Sequence, residues 1–329
     1  RSGSGRASAL VASIQGSGPA LIQEAIATGG DATANITNTG ALTIGARAHA
    51  MADETALAFA TANGIGQIAD AFGGGDANAT ISNATGATLA VLASATATGA
   101  TAVARPNVGF GLVQIASATG TAGTPGGGNA NATLTNNGPL TVAANAAANA
   151  TAGTGSALAL MGAGVIQEAT ATNGAASASL VNAGTINISA NANAVAGSRV
   201  VGVGATATTV HGDAYAADSI QTGLGQLVNF SGGVDGTATL KNSGTINITA
   251  AANAGGGANA AFTTSTTFGT GTTATTITTP IPGAQAFLQI GVGQIVNAGT
   301  GTAVIGAGAA ATTGTVAGNA LASQTNSGT

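Results

Sequence analysis

The sequence predicts an all-β fold: a parallel, β-helix-like β-solenoid of about six imperfect repeats around a thin, alanine-rich core. Three features predict it: two short motifs recur in strict alternation, apolar residues are spaced two apart, and the composition cannot fill a bulky core. Of 329 residues, 54 are glycine and 2% are aromatic, with seven Phe, one Tyr and no Trp. Charged side chains make up 5% of the chain, against about 25% in an average globular domain. A net charge of −4 leaves nucleic-acid binding without its main driving force, the release of counterions from phosphates. Disorder is disfavoured, because 44% of the residues are hydrophobic and disordered chains lack apolar side chains. Cysteine is absent, so disulfides and thiolate metal sites are excluded. No uninterrupted apolar run approaches the ~18 residues that a helical membrane span needs.

The first motif is an apolar residue two before a glutamine: Leu21-x-Gln23, Ile65-x-Gln67, Leu112-x-Gln114, Val165-x-Gln167, Leu224-x-Gln226 and Val292-x-Gln294. The second is a short strand ending in an Asn-x-Gly turn, as in ANITNTG, ATLTNNGP, ASLVNAGT and ATLKNSGT, with an expanded ATISNATG and a final QTNSGT. Its asparagines are Asn38, Asn83, Asn136, Asn182, Asn242 and Asn326. Self-similarity at such a period is the mark of a repeat array. Residues 1–329 are therefore read as one array, with repeats starting near 21, 65, 112, 165, 224 and 292. Gln to Asn spans 15, 16, 22, 15, 16 and 32 residues, and Asn to the next Gln lengthens from 29 to 52. The extra length is assigned to loop insertions at 200–222 and 255–285, the second rich in threonine.

Strands follow from parity. In the fourth repeat Ala176, Ala178, Leu180, Asn182, Gly184, Ile186, Ile188, Ala190, Ala192 and Ala194 share one parity, and the first and third repeats match it. A period of two marks a half-buried strand. The second repeat carries two extra residues in its turn yet keeps the parity, and only an even insertion leaves the inward side chains inward. Alanine favours helix, but the interleaved Thr, Asn and Gly and the lack of caps oppose it. Large residues beside the turn give way to successive alanines, so the core is expected to taper away from the Asn and Gln positions.

The asparagines fall on the inward parity. Stacked on successive rungs, identical amides can hydrogen-bond along a column as in cross-β ladders, which would make them register pins. The competing reading is that each Asn tolerates a left-handed turn before the glycine. For the glutamines, inward and outward placement both remain open.

These residues resemble bacterial secreted β-solenoids. Gly-, Ala-, Thr- and Asn-rich repeats of the xNxGxIxI kind are similar to passenger regions of autotransporter adhesins and to filamentous-haemagglutinin-type proteins, and the resemblance covers essentially the whole chain. It implies export, a bacterial surface or extracellular location, and an adhesive or scaffold role. A weaker resemblance is to curli-type functional amyloid, which also uses Gln and Asn columns but in a repeat about half as long.

Candidate chemistry is sparse. His49 and His211 occupy non-equivalent positions, Lys241 is the only lysine, and the one adjacent acidic pair, Asp53-Glu54, lies between strands. No constellation for catalysis or cofactor binding is present, so the chain is read as a non-enzyme. Seven residues before the turn asparagines stand Asp31, Asp76, Asn129, Ala175 and Asp235. Asp31, Asp76 and Asp235 are weak Ca²⁺ candidates, and an Asx turn capping the strand is the plainer account. The sequence also stops at the turn after Asn326, where earlier repeats continue into a strand. The expected function is an extracellular structural protein whose copies stack head to tail into a filament. The alternative is a monomeric adhesin stalk whose long loops bind a surface or carbohydrate partner.

Overall fold

The computed structural model describes residues 5–11, 18–120, 128–201, 208–231, 235–256, 259–269, 284–298, 304–305 and 320–327. Among them there is no helix, and the strands form successive rungs of a β-solenoid. Rung 1 comprises β1 (Gly5–Val11), β2 (Leu21–Thr28), β3 (Ala32–Asn38) and β4 (Ala41–Met51). Rung 2 comprises β5 (Thr55–Ala62), β6 (Ile65–Phe72), β7 (Ala77–Asn83) and β8 (Thr88–Gly99). In rung 3 the first two strands merge into β9 (Thr101–Thr119), followed by β10 (Ala130–Asn136) and β11 (Pro139–Ala150). Rung 4 repeats this as β12 (Gly155–Thr172), β13 (Ala176–Asn182) and β14 (Thr185–Ala196). A hairpin, β15 (Ser198–Val201) with β16 (Thr208–His211), precedes rung 5, which is β17 (Ala214–Ser231), β18 (Gly236–Asn242) and β19 (Thr245–Gly256). After β19 comes β20 (Asn259–Gly269), and rung 6 comprises β21 (Ala284–Ala298) and β23 (Ala320–Asn326), with the short β22 (Val304–Ile305) between them.

Equivalent strands pair in parallel and in register. Sheet A stacks β1 and β2 on β5 and β6, then β9, β12, β17 and β21. Sheet B runs β3, β7, β10, β13, β18, β23, and sheet C runs β4, β8, β11, β14, β19, with β20 antiparallel on its outer edge. Each sequence repeat is thus one rung, and the alternation becomes literal: β13 reads BiBiBiB in burial, and Ala178 lies beside Ala132 and Ala238.

Two irregularities show how register survives. The expanded turn of rung 2, with Gly86 at φ 79°, still delivers Leu89 beside Leu140. Sheet A also bends at a corner, where Ala62 to Ile65 advances three residues while the paired Val108 to Leu112 advances four. An odd difference would turn one half inside out. Here the strand breaks at Asn63 and Gly64, so Ala56–Ala62 and Ile65–Ala71 each keep their inward set. Glycine is required at that corner: a Cβ on Gly164 would lie 2.5 Å from Ile188 Cδ1 and 2.6 Å from the Gly223 carbonyl oxygen.

The core is two joined compartments. The first half of sheet A packs on sheet C, and the second half packs on sheet B. Large side chains such as Ile65, Leu112, Leu140 and Ile188 fill the middle. The expected one-way taper is therefore replaced by thinning in both directions, with alanines from both facing sheets at each end, among them Ala58 and Ala95 in one compartment and Ala71 and Ala77 in the other. The insertions also differ from expectation. Residues from Ala214 onward belong to β17, so the first insertion is the hairpin at 198–211 rather than a loop over 200–222. Within 255–285, β19 extends to Gly256, β20 forms an antiparallel strand and β21 begins at Ala284.

Candidate functional site: the amide columns

Each inward glutamine sits where sheet A leaves its corner and faces sheet B, and from Gln67 to Gln294 it lies two residues after a buried apolar side chain. Its amide makes two kinds of bond. Gln67, Gln114, Gln167, Gln226 and Gln294 donate through Nε2 to the Oε1 of the glutamine on the preceding rung, at 3.0, 3.0, 3.0, 2.9 and 2.7 Å, beginning at Gln23. They also donate across the core to carbonyl oxygens of sheet B: Thr80 at 2.8 Å, Thr133 at 2.8 Å, Ser179 at 2.9 Å, Thr239 at 2.9 Å and Ser323 at 3.1 Å. Gln23 does the same to the Asn35 carbonyl oxygen at 3.0 Å. The glutamines are therefore inward, and they tie sheet to sheet as well as rung to rung.

The asparagines form a second column at the bend between sheets B and C. Asn38, Asn83, Asn136, Asn182 and Asn242 donate through Nδ2 to the Oδ1 of the asparagine on the following rung, at 2.9, 2.8, 2.7, 2.6 and 2.9 Å, ending at Asn326. The first four also reach the first carbonyl of the next rung's sheet C strand: Thr88, Pro139, Thr185 and Thr245. The left-handed alternative does not apply, because among the described residues the one non-glycine at positive φ is Asn173. The turn glycine is required for close stacking instead: a Cβ on Gly184 would overlap the carbonyl oxygen of Gly138, and one on Gly244 that of Gly184.

The two columns have opposite polarity. Glutamines donate toward the N-terminal rung and asparagines toward the C-terminal rung, so the stacked amide dipoles oppose each other rather than accumulate along the axis. Buried amides would cost stability if unpaired. Here each side chain from Gln67 to Gln226 and from Asn83 to Asn242 both donates and accepts within its column.

The acidic column resolves into a third ladder. Asp31 Oδ1 accepts from the Asp76 N–H at 2.9 Å, Asp76 Oδ1 from Asn129 N–H at 2.8 Å, and Asn129 Oδ1 from Ala175 N–H at 3.0 Å. Each side chain caps the strand entry of the next rung, a capping role like that of an Asx turn but directed between rungs. Asp235 is exposed and its carbonyl accepts from Ala176 N–H at 3.1 Å. Among the described residues no three His, Asp or Glu side chains converge as a metal would require. His49 projects outward from β4, His211 ends β16, Lys241 is exposed on sheet B, and Asp53 and Glu54 form the exposed turn before β5.

One unusual site has no counterpart in the sequence reading. Asp218 lies in the inward alanine column of sheet A, beside Ala159 and Ala286, and is 1% exposed. Neither carboxylate oxygen has a hydrogen-bond partner. Burial pushes its pKa up to about 8, and the backbone at Ala251 and at Asp218 itself opposes the shift only in part. The available signal was its offset of eight residues before Gln226, which gives it the same inward parity.

A crevice of about 10 Å³, room for no more than one water, is lined by Leu180, Leu224, Gln226, Leu240 and Val292, and its polar group, the Gln226 amide, is already bonded on three sides. What the columns can do is mechanical: they fix the register of every rung and resist shear between sheets. In comparison with known proteins, no family model, curated protein or solved structure matches the chain.

Proposed function

We propose that this protein is a non-enzymatic structural rod, a secreted or surface-anchored adhesin stalk in which the β-solenoid spaces and the inserted elements bind. The observation that carries this reading is the pair of unbroken amide columns through all six rungs, the construction of a shaft rather than of a pocket. Few charges and continuous backbone pairing suit durability outside the cell. The hairpin β15–β16 supports a binding role for inserted elements, since it interrupts the stack without disturbing it. Gly212 N–H donates to the Gly197 carbonyl oxygen at 2.8 Å, so the hairpin's ends meet.

Head-to-tail filament formation is the second reading, favoured by the outer edges of β3 and β4, which pair with no other strand among the described residues. Against it, β20 occupies the C-terminal edge of sheet C, the edge on which the β4 of a following copy would pair. Deleting Ser198–His211 separates the two. Loss of surface binding with unchanged circular dichroism and unchanged rod length in negative-stain electron microscopy is the expected result. Uniform wild-type filaments with a ~4.8 Å axial repeat would refute the stalk.

A further inference from the structure

The solvent faces of the three sheets differ sharply. Sheet B presents Thr, Ser and Asn almost throughout, as in Thr80, Ser82, Asn131, Thr133 and Thr135. Of the eleven large apolar side chains exposed among the described residues, seven besides the inward-parity Leu21 lie on sheet A strands, including Ile22, Ile26, Phe72, Leu160, Tyr215 and Phe287. Between them run half-buried columns on the same outer face: Ile68, Ile115, Leu227 and Ile295 in one, with Glu168 between Ile115 and Leu227, and Val113 and Ile166 in the next. An apolar surface of this extent, crossed by the carboxylate of Glu168, marks an interaction site.

Charge on this face is divided. Arg6 and Arg105 lie on its first half, and Glu24, Asp70 and Glu168 on its second. Glu24 and Asp70 repel each other, and burial and that repulsion both raise the Asp70 pKa. Arg105 precedes the corner glycine Gly111 by six residues, while Ser117, the lateral neighbour of Asp70, follows it by six. A twofold axis parallel to the stack and passing through the corner would lay the basic half of one copy on the acidic half of another. The area suffices: the three central strands of 18 or 19 residues, at ~3.3 Å per residue and rungs ~4.8 Å apart, alone give a face of roughly 900 Å². A standard stable interface needs about 800 Å² from each partner.

From this we infer that the outer face of sheet A docks a second copy of the chain, pairing two solenoids back to back with parallel axes. The interface is isologous, apolar at the centre and charge-paired at its flanks.

Sedimentation velocity of the full chain over a wide concentration range tests it. The wild type is expected to form a dimer. Ile115→Lys with Leu227→Lys should raise its dissociation constant by at least about a hundredfold, because each burial is lost twice in a twofold interface. The thermal melt of this variant should stay close to wild type, since both side chains lie on the solvent side. Arg105→Glu should weaken the dimer at least about tenfold, and adding Asp70→Arg should restore it. Leu321→Lys on sheet B serves as the neutral control. A wild type that stays monomeric at every concentration, including one that instead sediments with phosphatidylcholine vesicles, overturns the proposal. So does a dimer indifferent to both the apolar and the charge substitutions.

Discussion

Asp218 makes stability depend on pH in a direction opposite to that of most carboxylates. Its column neighbours Ala159 and Ala286 are alanines, and sheet C covers it with strands that carry no titratable side chain over Thr185–Ala196 and Thr245–Gly256. No cation is supplied to an ionised carboxylate, so the folded state holds the proton and the unfolded chain releases it. The folded pKa is raised from 3.8 to about 8. Stability from this group is therefore fully present below about pH 4 and is lost progressively as pH rises to about 8. At about 1.4 kcal/mol per pH unit the loss is on the order of 4 kcal/mol by pH 7. Asp218→Ala should remove the dependence and match the neighbouring rungs. Guanidinium unfolding followed by circular dichroism, at pH values from 4 to 9 in both proteins, measures it. The two should be close at the acid end, with the variant more stable by several kcal/mol at neutrality. A difference between variant and wild type that stays flat across this range would refute the reasoning, because it would mean that water or a counter-charge reaches the carboxylate.

The columns and corners give sharper contrasts. Asn182→Leu would leave the Asn136 donor and the Asn242 acceptor without their column partners, a cost of about 2–6 kcal/mol at ~1–3 kcal/mol per orphaned group. Within the column, Asn38→Leu at its end orphans the Asn83 acceptor alone, the carbonyl bond to sheet C being lost in both variants, and it should cost clearly less; equal midpoint shifts in chemical denaturation would argue against stacking. Gly164→Ala should destabilise by about 1–3 kcal/mol through overpacking against Ile188 and the Gly223 carbonyl. Gly40→Ala, whose Cβ would meet nothing within 4 Å, should shift the midpoint by less than ~0.5 kcal/mol. Comparable losses from both glycines would contradict the corner geometry.

Much of this architecture is legible in one dimension. A strand's inward set depends only on parity, so the run from Ala176 to Ala194 announces a buried face without knowledge of its partner. The asparagines and glutamines could be placed on columns because parallel in-register stacking puts each residue beside its own equivalent. Asp31 and Asp76 were visible as a column too, though their acceptance of the next rung's N–H was not. Asp218 shares the inward parity of Gln226, but parity alone does not say that the residues stacked beside it are alanines. The Thr-rich segment after Gly256 read as loop, yet part of it is β20, since an antiparallel partner strand need not share the repeat's pattern.

The sequence by itself determined the strand class, the inward parity around the turn asparagines and the residues that recur in columns, because these follow from local periodicity and from repetition of like on like. That each repeat makes a single coil and that the glutamines face inward came only with the tertiary structure. Only the tertiary structure decided what lies opposite: that sheet A divides its packing between sheets C and B, that the core thins at both ends, that the two amide columns run with opposed polarity, and that Asp218 faces alanine. Those outcomes depend on where the chain turns its corners. A turn shifts which strands confront each other across the core without changing which side chains point inward.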